Sequence, residues 1–205
     1  MTKRSKGTLF VISAPSGAGK TTLCRHIAAV DKRLRESVSY TSRQPRKGER
    51  NNRDYTFVGT DEFRKMAAGG EFVEWAEVHG NLYGTSRKRL KDILAKGFDV
   101  LLDIDIQGAA QIRKAFPAGV SIFVMPPSRG VLRRRLEGRG ANTKADMERR
   151  LKNAVREMKN YKKYDYVIVN DVLNDAVSGL RAIIASERLR TARVDGAWIR
   201  DNFFC

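Results

Sequence analysis

Four short apolar runs, separated by longer stretches with helical periodicity, dominate the pattern of hydrophobic and polar positions along the chain. The runs are rich in β-branched and aliphatic residues, which is typical of buried strands; they are Leu9–Ser13, Val100–Asp105, Val120–Met125 and Tyr166–Val169. Helical patterns are predicted after Lys20, from near Thr85-Ser86 to before Gly97, over Gln107–Ala115, and from about Leu173 to Leu189. Strands that alternate with helices predict an α/β fold of three layers, with a parallel sheet covered on both faces.

Two stretches interrupt this alternation. Residues 39 to about 83 are polar and aromatic, and Phe57-Val58 and Phe72-Val73 alternate like short antiparallel strands. Residues 129 to about 163 are basic and helical. Within them, Thr143 and Asp146 resemble a capping box that starts a second helix, whose apolar stripe is Met147, Leu151, Val155 and Met158. We therefore predict one domain over residues 1–205, with a core (1–38, 91–128 and 164–205) and two inserts (39–90 and 129–163).

The composition is that of an ordinary globular chain. Of its 205 residues, 41% are hydrophobic and 31% charged, and no apolar run approaches the roughly 18 residues that span a bilayer. The apolar stretch Leu9–Ile12 is too short for a signal peptide. Cys24 and Cys205 form neither a disulfide framework nor a metal-binding spacing, and Cys24 falls in an apolar helical pattern as a core residue. We expect a cytoplasmic protein without membrane contact.

The net charge of +17 has two interpretations. A strongly basic chain can bind nucleic acid, or it can be an enzyme whose substrates are all polyanions. The densest basic cluster runs from Arg129 to Lys163, with arginines at helical spacings and no interleaved aromatic residue before Tyr161. This differs from the aromatic-rich signature of an RNA-binding sheet, although composition alone leaves both interpretations open.

The strongest local motif lies between a predicted strand and a predicted helix, the context that a phosphate-binding loop requires. It reads Ala14-Pro15-Ser16-Gly17-Ala18-Gly19-Lys20-Thr21-Thr22, and all nine residues are predicted to bind the nucleotide. Glycines allow backbone N–H groups to turn around an anion, and the helix N-terminus adds its positive end. Lys20 can reach the β- and γ-phosphates, and the Thr21 hydroxyl can ligate Mg²⁺. Ala14 stands where the motif usually has its first glycine, and this change adds only a methyl group.

A second motif is suited to a phosphate monoester. Arg43 and Arg46 flank Pro45, and Tyr55 follows in the same polar stretch. Guanidinium groups bind phosphate oxygens bidentately, and a tyrosine hydroxyl adds a donor. Taken alone, this loop is equally well explained as a solvated basic surface.

Together these motifs resemble the guanylate kinase family. The resemblance covers about residues 7 to 190 and depends on ordered motifs at the family's approximate spacing. They are the phosphate loop, Ser39-x-x-x-Arg43-x-Pro45-Arg46-x-Gly48-Glu49, Asp54-Tyr55, Glu74-Trp75, Tyr83-Gly84, Leu102-Asp-Ile-Asp105-Ile-Gln-Gly108, Pro126-Pro127-Ser128, Arg135-Leu-Glu-Gly-Arg139-Gly140 and Val169-Asn170-Asp171.

The resemblance implies transfer of the γ-phosphoryl of ATP to GMP, and to dGMP, with Mg²⁺. It also identifies residues 39–90 as a GMP-binding subdomain. Ser39 and Glu74 are expected to read guanine, because a carboxylate accepts from the adjacent N1–H and 2-amino donors. Asp105 is expected to assist at the base, directly or through water, and Arg43, Arg46, Tyr55 and Tyr83 are expected to hold the GMP phosphate. Thr85 replaces a serine of many relatives and keeps the hydroxyl, while Asn52 occupies a common glycine position and tolerates left-handed backbone angles.

The resemblance also identifies residues 129–163 as a lid. Its arginines Arg135, Arg139 and Arg150 are expected to act with Lys20 and Arg43 on the transferring group. Asp103 joins Thr21 as a candidate for the magnesium shell, and Asn170 is expected near the adenine or ribose of ATP. The oligomeric state, monomer or homo-oligomer, stays open, as does the role of residues 191–205.

Two other classes of function compete with this one. Guanylate-kinase-like domains also serve as protein-interaction scaffolds, but such domains are expected to lack parts of the phosphate loop, and Gly19, Lys20 and Thr21 are all present. A nucleic-acid-binding P-loop protein is favoured by charge alone, and it leaves Glu74 and the loop of Arg43 and Arg46 without a purpose.

Overall fold

The main sheet consists of five parallel strands with the order β2-β7-β1-β8-β9. The computed structural model describes residues 6–78, 80–138 and 144–204. Its core strands are β1 (Leu9–Ser13), β2 (Leu34–Glu36), β7 (Asp99–Asp103), β8 (Val120–Met125) and β9 (Tyr166–Val169). Because β1 lies at the centre, between β7 and β8, the chain that leaves its carboxyl end enters the crevice where such sheets bind ligands.

Helices cover both faces of this sheet. The face of Phe10 and Ile12 packs against α1 (Lys20–Val30) and α7 (Leu173–Arg188). The face of Leu9 and Val11 packs against α3 (Arg87–Ala95) and α4 (Ile106–Ala115). Consecutive residues of β1 therefore point to opposite faces and are all buried, as expected for a central parallel strand.

A second, smaller sheet lies within residues 40–86. Its order is β4-β3-β6-β5, and its core is formed by Phe63, Phe72 and Leu82. The elements are β3 (Tyr40–Thr41), β4 (Thr56–Phe57), α2 (Thr60–Ala68), β5 (Phe72–Val78) and β6 (Asn81–Ser86). The edge strand β5 faces α4, so the small sheet is joined to the main core at this point.

The basic segment forms two helices with a small core of their own. Leu132 and Leu136 of α5 (Arg129–Glu137) pack against Met147, Leu151 and Ala154 of α6 (Lys144–Met158). A 3₁₀ helix, Lys159–Lys163, leads into β9, and the chain ends with a second 3₁₀ helix, Thr191–Arg193, and with α8 (Gly196–Phe203). In α8, Trp198 stacks edge-on against Phe203, and Phe203 and Phe204 are exposed.

The α/β class with a parallel core sheet is confirmed, and the predicted bounds of β1, β8 and β9 match the structure. Cys24 is buried in the core as predicted. Asn52 has φ 59°, as expected at a glycine-like position, and is the one non-glycine residue with positive φ in the described ranges. The capping-box residue Thr143 lies outside the described residues. The described part contains no helix long and apolar enough to cross a membrane.

Three sequence-based predictions need correction. The strand predicted over Val100–Asp105 ends at Asp103, because Asp105 turns out of the sheet to cap α4. The strand at Phe57 pairs parallel, not antiparallel, with β3, since the polar loop before it carries the chain back to the start of β3. Val155 is only half-buried, and Ala154 takes its place in the core between α5 and α6.

Candidate active site

The phosphate loop, residues 14–22, leaves the carboxyl end of β1 and enters α1 at Lys20. Gly17 and Gly19 have φ of 88° and 87°, a left-handed conformation that side chains other than glycine rarely adopt. At Gly19 a Cβ would also lie 2.4 Å from Asn170 Nδ2. That amide donates to the carbonyl of Ala18 at 2.8 Å, so the loop is held from behind by a buried side chain.

Pro15 forms part of a turn near the start of the phosphate loop. It is buried, it is not among the residues that line the cavity beside Lys20, and as a proline it has no backbone N–H to offer a phosphate. Its carbonyl instead accepts from the backbone N–H of Ala18 at 3.2 Å. Pro15 therefore closes a turn within the phosphate loop, and its contact with a nucleotide stays a prediction.

Lys20 lies at the mouth of the crevice between β1 and β7. Its ammonium pairs with the carboxylate of Asp103 and donates to the carbonyl of Ile104 at 3.0 Å. Burial lowers the pKa of Lys20 to about 8, so the charged form still predominates at pH 7. Lys20, Thr21 and Asp103 all line a cavity of about 430 Å³, with room for several phosphate oxygens.

The first basic helix packs directly on this loop. A Cβ at Gly17 would lie 3.0 Å from side-chain carbons of both Leu132 and Leu136. Arg135, one residue before Leu136, donates to the carbonyl of Asn170 at 3.0 Å. Its guanidinium therefore lies beside the backbone of the phosphate loop.

Of the other two arginines predicted for the lid, Arg150 lies within the described residues. Arg150 is exposed on α6 and is not among the residues that line the cavity. Arg139 lies outside the described residues. Glu157 of α6 accepts from the backbone N–H of Ser16 at 3.3 Å, which brings a carboxylate to the edge of the phosphate loop.

A second cavity of about 180 Å³ shares a wall with the first. Ser39, Tyr55, Asp103 and Ile104 line both cavities. The second is lined further by Glu74, Ala76, Val78, Tyr83 and Asp105. The structure thus brings together five of the residues predicted for the acceptor from distant parts of the chain: Ser39, Tyr55, Glu74, Tyr83 and Asp105.

Glu74 is the most unusual group in this second cavity. Its side chain is 5% exposed, and it accepts from the Thr85 hydroxyl at 2.5 Å. Burial, opposed by this hydrogen bond and reinforced by Asp105, raises the pKa of Glu74 to about 7. A buried carboxyl on a cavity wall, with lone pairs that one hydroxyl does not saturate, is suited to recognise paired donors on a ligand.

The arginine loop lies beside the same cavity. Arg43 binds both carboxylate oxygens of Glu49, at 2.9 and 3.0 Å, and its guanidinium carbon lies 5.4 Å from the centroid of the Tyr55 ring. Hydrogen bonds to Glu49 and then to Tyr83 raise the pKa of Arg43. The backbone N–H of Arg46 also donates to Glu49, at 2.7 Å. Glu49 therefore holds the loop together by accepting from both the Arg43 guanidinium and the Arg46 backbone.

Several residues that shape the site were not predicted as site residues. Glu49 and Gly108 appeared only as parts of motifs, and Gln111 and Glu157 were not singled out. The available signal for Gly108 was a glycine inside a predicted helix, which costs stability unless close packing requires it. Gln111 and Glu157 left no such signal, because their partners are 36 and 141 residues away.

The fold and these two adjoining cavities define a P-loop nucleotide-binding protein of the α/β class. One cavity is lined by Lys20 and Thr21 at the end of the phosphate loop, and the other by the buried carboxyl of Glu74 beside the arginine loop. Such a pair of sites can hold a triphosphate and a second phosphorylated ligand close together.

The comparisons with known proteins refine this class. The family model described as guanylate kinase matches residues 6–187, and the chain therefore belongs to the guanylate kinase family. It is 51% identical over 93% of its length to the guanylate kinase of Geobacter metallireducens and 52% identical, also over 93%, to that of Geobacter sulfurreducens; in each case 94% of the relative is covered. A crystal structure of guanylate kinase from Anaplasma phagocytophilum superposes with a TM-score of 0.77 at 37% identity, covering 98% of this chain and 97% of that one.

Proposed function

We propose that the two cavities described above carry out phosphoryl transfer from ATP to GMP, the reaction of the guanylate kinase family, and that dGMP is also an acceptor. The observation that carries the proposal is the shared wall of the two cavities, with Lys20 on one side and the buried Glu74 on the other. An acceptor in the second cavity would have its phosphate directed toward the triphosphate in the first. This division also agrees with a division of the chain into a core, a GMP-binding subdomain (39–90) and a lid (129–163).

ATP is proposed to bind along residues 14–22. The backbone N–H groups of the loop and the N-terminus of α1 would hold its phosphates. Lys20 would exchange its ion pair with Asp103 for contacts to the β- and γ-phosphates. Asn170, which braces the loop through Ala18, would then act mainly by fixing the loop, and the adenine contact expected from the resemblance is a separate part of the proposal.

Mg²⁺ fits the donor set on the phosphate side. Thr21 and Asp103 line the same cavity, and the described residues contain no cluster of three or more acidic, histidine or cysteine side chains that could hold a metal unaided. Mg²⁺ is commonly bound by one or two protein oxygens together with substrate phosphates, so Thr21 and Asp103 are sufficient for the protein's share. When bound with ATP, the ion would neutralise charge that develops on the phosphates.

GMP is proposed to bind with its base against Glu74. The carboxylate would accept from N1–H and the 2-amino group, and Ser39 would face the O6 edge. Adenine has an unprotonated N1 at this position and would face the carboxylate acceptor to acceptor. Thr85 contributes by holding one oxygen of Glu74, and Asp105 extends the polar wall at the base.

The GMP phosphate is proposed to be held by Arg43, Arg46, Tyr55 and Tyr83. Since Arg43 is paired with Glu49 in this structure, the phosphate would share or displace that partner. The nucleophile is then an anionic phosphate oxygen, so no general base is required. Catalysis consists of bringing two polyanions together and stabilising the charge on the transferring group, with Arg135, Arg139 and Arg150 supplying positive charge from the lid.

The net charge of +17 agrees with this assignment without a nucleic-acid partner, because donor and acceptor together carry about six negative charges at neutral pH. A cytoplasmic location stays a prediction, and the oligomeric state, monomer or homo-oligomer, stays open. The direct test is a coupled assay of ADP formation with GMP, dGMP, AMP, CMP and UMP as acceptors. We expect turnover with the two guanine nucleotides, and equal rates with AMP would contradict the role of Glu74.

A further inference from the structure

The edge strand β5 carries Glu74, and the core helix α4 contacts three consecutive residues of that strand. Val73 packs in the apolar cluster of Ala109 and Ile112. Glu74 lies against Gly108, and Trp75 is bound by Gln111. One face of α4 therefore determines where this part of β5 stands.

Gln111 binds the strand as a neighbouring strand would. Its side-chain carbonyl accepts from the backbone N–H of Trp75 at 3.2 Å, and its amide donates to the backbone carbonyl of Trp75 at 2.9 Å. Among the described strands, β5 lies at one edge of the small sheet and β4 at the other, so these backbone groups of β5 face α4, where a further strand would otherwise lie. A single side chain thus satisfies both backbone groups of the residue that follows Glu74.

The strand needs such a support at this point. The pairing of β5 with β6 shifts register between Phe72 and Glu74, and a bulge of this kind interrupts the ladder and redirects the side chain that follows it. The direction of Glu74 is therefore set less by regular sheet geometry than by what holds the strand on its other side, which is α4.

Gly108 provides the space that this direction requires. A Cβ at position 108 would lie 2.6 Å from Glu74 Oε2 and 3.2 Å from its Cδ. Gly108 also donates its N–H to Asp105 at 2.8 Å, and Asp105 lines the same cavity as Glu74. The helix thus brings both carboxyl groups to one wall, and a glycine in its interior is explained by the close approach of Glu74.

We propose that Gln111 and Gly108 are positioning residues for recognition of the base, acting through Glu74. The proposal rests on the proposed role of Glu74 in reading guanine. Gln111 fixes the backbone that carries Glu74, and Gly108 leaves room for its second carboxylate oxygen, the one that Thr85 does not hold.

The test compares kcat/KM for GMP and IMP, because IMP keeps N1–H and O6 but lacks the 2-amino group. Gln111→Met keeps the length of the side chain and removes both hydrogen bonds. We expect the GMP-to-IMP ratio to fall by about tenfold, with the KM for ATP unchanged. Lys114→Met, at an exposed position one turn further along α4, is the matched control and should keep the ratio.

Gly108→Ala tests, in the same assay, whether Glu74 needs the space that the missing Cβ at position 108 leaves. Alanine favours the helix, so the variant should fold, and we expect a loss of the GMP-to-IMP ratio of about tenfold or more because Glu74 must move. Combined with Glu74→Ala, which removes the clashing carboxylate, Gly108→Ala should cause no further change in the ratio. A further loss in that background would overturn the proposed route through Glu74.

The outcomes separate this inference from the proposed function. If Glu74→Gln leaves the GMP-to-IMP ratio unchanged, the role of Glu74 itself is wrong. If Glu74→Gln lowers the ratio while Gln111→Met and Gly108→Ala do not, only the positioning role is wrong. A lower melting temperature of Gln111→Met with an intact ratio would likewise show that Gln111 is structural. If Gln111→Met fails to fold, Gln111→Glu replaces it in the test, because it keeps the acceptor for Trp75 N–H and loses the donor to the Trp75 carbonyl. A lower GMP-to-IMP ratio in Gln111→Glu would support the positioning role, and an unchanged ratio would contradict it.

Discussion

The proposed phosphate site would draw its binding groups from one continuous segment, residues 14–22, whereas the proposed acceptor pocket is lined by side chains from segments far apart in the chain. The loop would offer mostly backbone N–H groups, and its shape depends on the φ angles of Gly17 and Gly19. The pocket presents side chains, above all the buried Glu74. A backbone cradle recognises phosphates, which nucleotides share, while side chains distinguish one base from another. We therefore expect the first site to determine the rate of phosphoryl transfer and the second to determine selectivity for the base.

The largest expected effect comes from removing the one long side chain of the phosphate loop. Lys20→Ala should lower kcat by about 10³-fold or more with little change in stability, because the lost charge acts on the phosphates in the transition state. The measurement is the steady-state rate at saturating ATP and GMP, with circular dichroism to check the fold. Turnover near that of the wild type would contradict the phosphate-loop assignment.

The contrast between the two sites is tested most directly by a change that alters selectivity for the acceptor base and leaves the ATP site unchanged. Glu74→Gln should lower kcat/KM for GMP by about 2–4 kcal/mol, roughly thirty- to a thousandfold, since an amide presents an NH₂ group to one of the guanine donors. The KM for ATP should stay nearly constant. Wild type should strongly prefer GMP over IMP, and the variant should narrow that gap. A parallel rise of the KM for ATP would show that the two cavities are not separate sites.

The same contrast explains how far the sequence could predict the molecule. The phosphate loop could be located from its glycines, lysine and flanking strand and helix, which are adjacent in the chain. Glu74, Ser39 and Tyr55 could be placed together only through the resemblance to a family. The bond from Gln111 to Trp75 could not be predicted, because it joins side chain to backbone across two elements whose relative position depends on the whole fold.

Secondary structure shows the same limit. Central strands such as β1 are buried on both faces and give continuous apolar runs. The edge strand β2, with the sequence Leu-Arg-Glu and two exposed residues, has no such run and was not predicted. The short strands β3 and β4 depend on pairing partners that local sequence does not identify.

A smaller effect is expected for the arginine loop, which belongs to the acceptor side. Arg43→Ala and Arg46→Ala should each raise the KM for GMP by about tenfold or more, because each removes charged hydrogen bonds to the GMP phosphate. Arg64→Ala, an exposed residue of α2 in the same subdomain, is the matched control. An effect on the KM for ATP alone would mean that the donor and acceptor cavities have been exchanged.

The raised pKa of Glu74 predicts a pH dependence that the phosphate loop does not share. The ionised form is the acceptor for guanine, and with a pKa of about 7 it is lost as the pH falls through 7. We expect kcat/KM for GMP to fall by up to about tenfold per pH unit below this value, since this parameter reports the free enzyme. GMP itself titrates near pH 6, so Glu74→Gln, which keeps that titration, must show a decline only at lower pH. An identical profile in both would exclude Glu74 as the titrating group.

The last prediction concerns the free energy of unfolding, to which Glu74 of the acceptor pocket contributes. Glu74 binds a proton more tightly in the folded protein, where its pKa is about 7, than at its ordinary value of 4.5. Between these values the folded state holds more protons than the unfolded state, so the contribution of Glu74 to the free energy of unfolding falls as the pH rises. Above pH 7 its buried charge is fully unfavourable. Glu74→Gln should therefore be more stable than the wild type at pH 8, by about 1–3 kcal/mol.

At pH 5 this advantage should largely disappear, because the wild-type side chain is then protonated and neutral. Thermal unfolding at both pH values measures the difference, which corresponds to a few degrees in melting temperature for a chain of this length. Glu77→Gln, at an exposed position of the same strand, is the control and should show no such pH-dependent gain. If the free energy of unfolding of Glu74→Gln at pH 8 equalled that of the wild type, the buried carboxylate would not destabilise the unliganded protein. Selectivity for guanine would then not depend on a destabilising charge in the empty pocket.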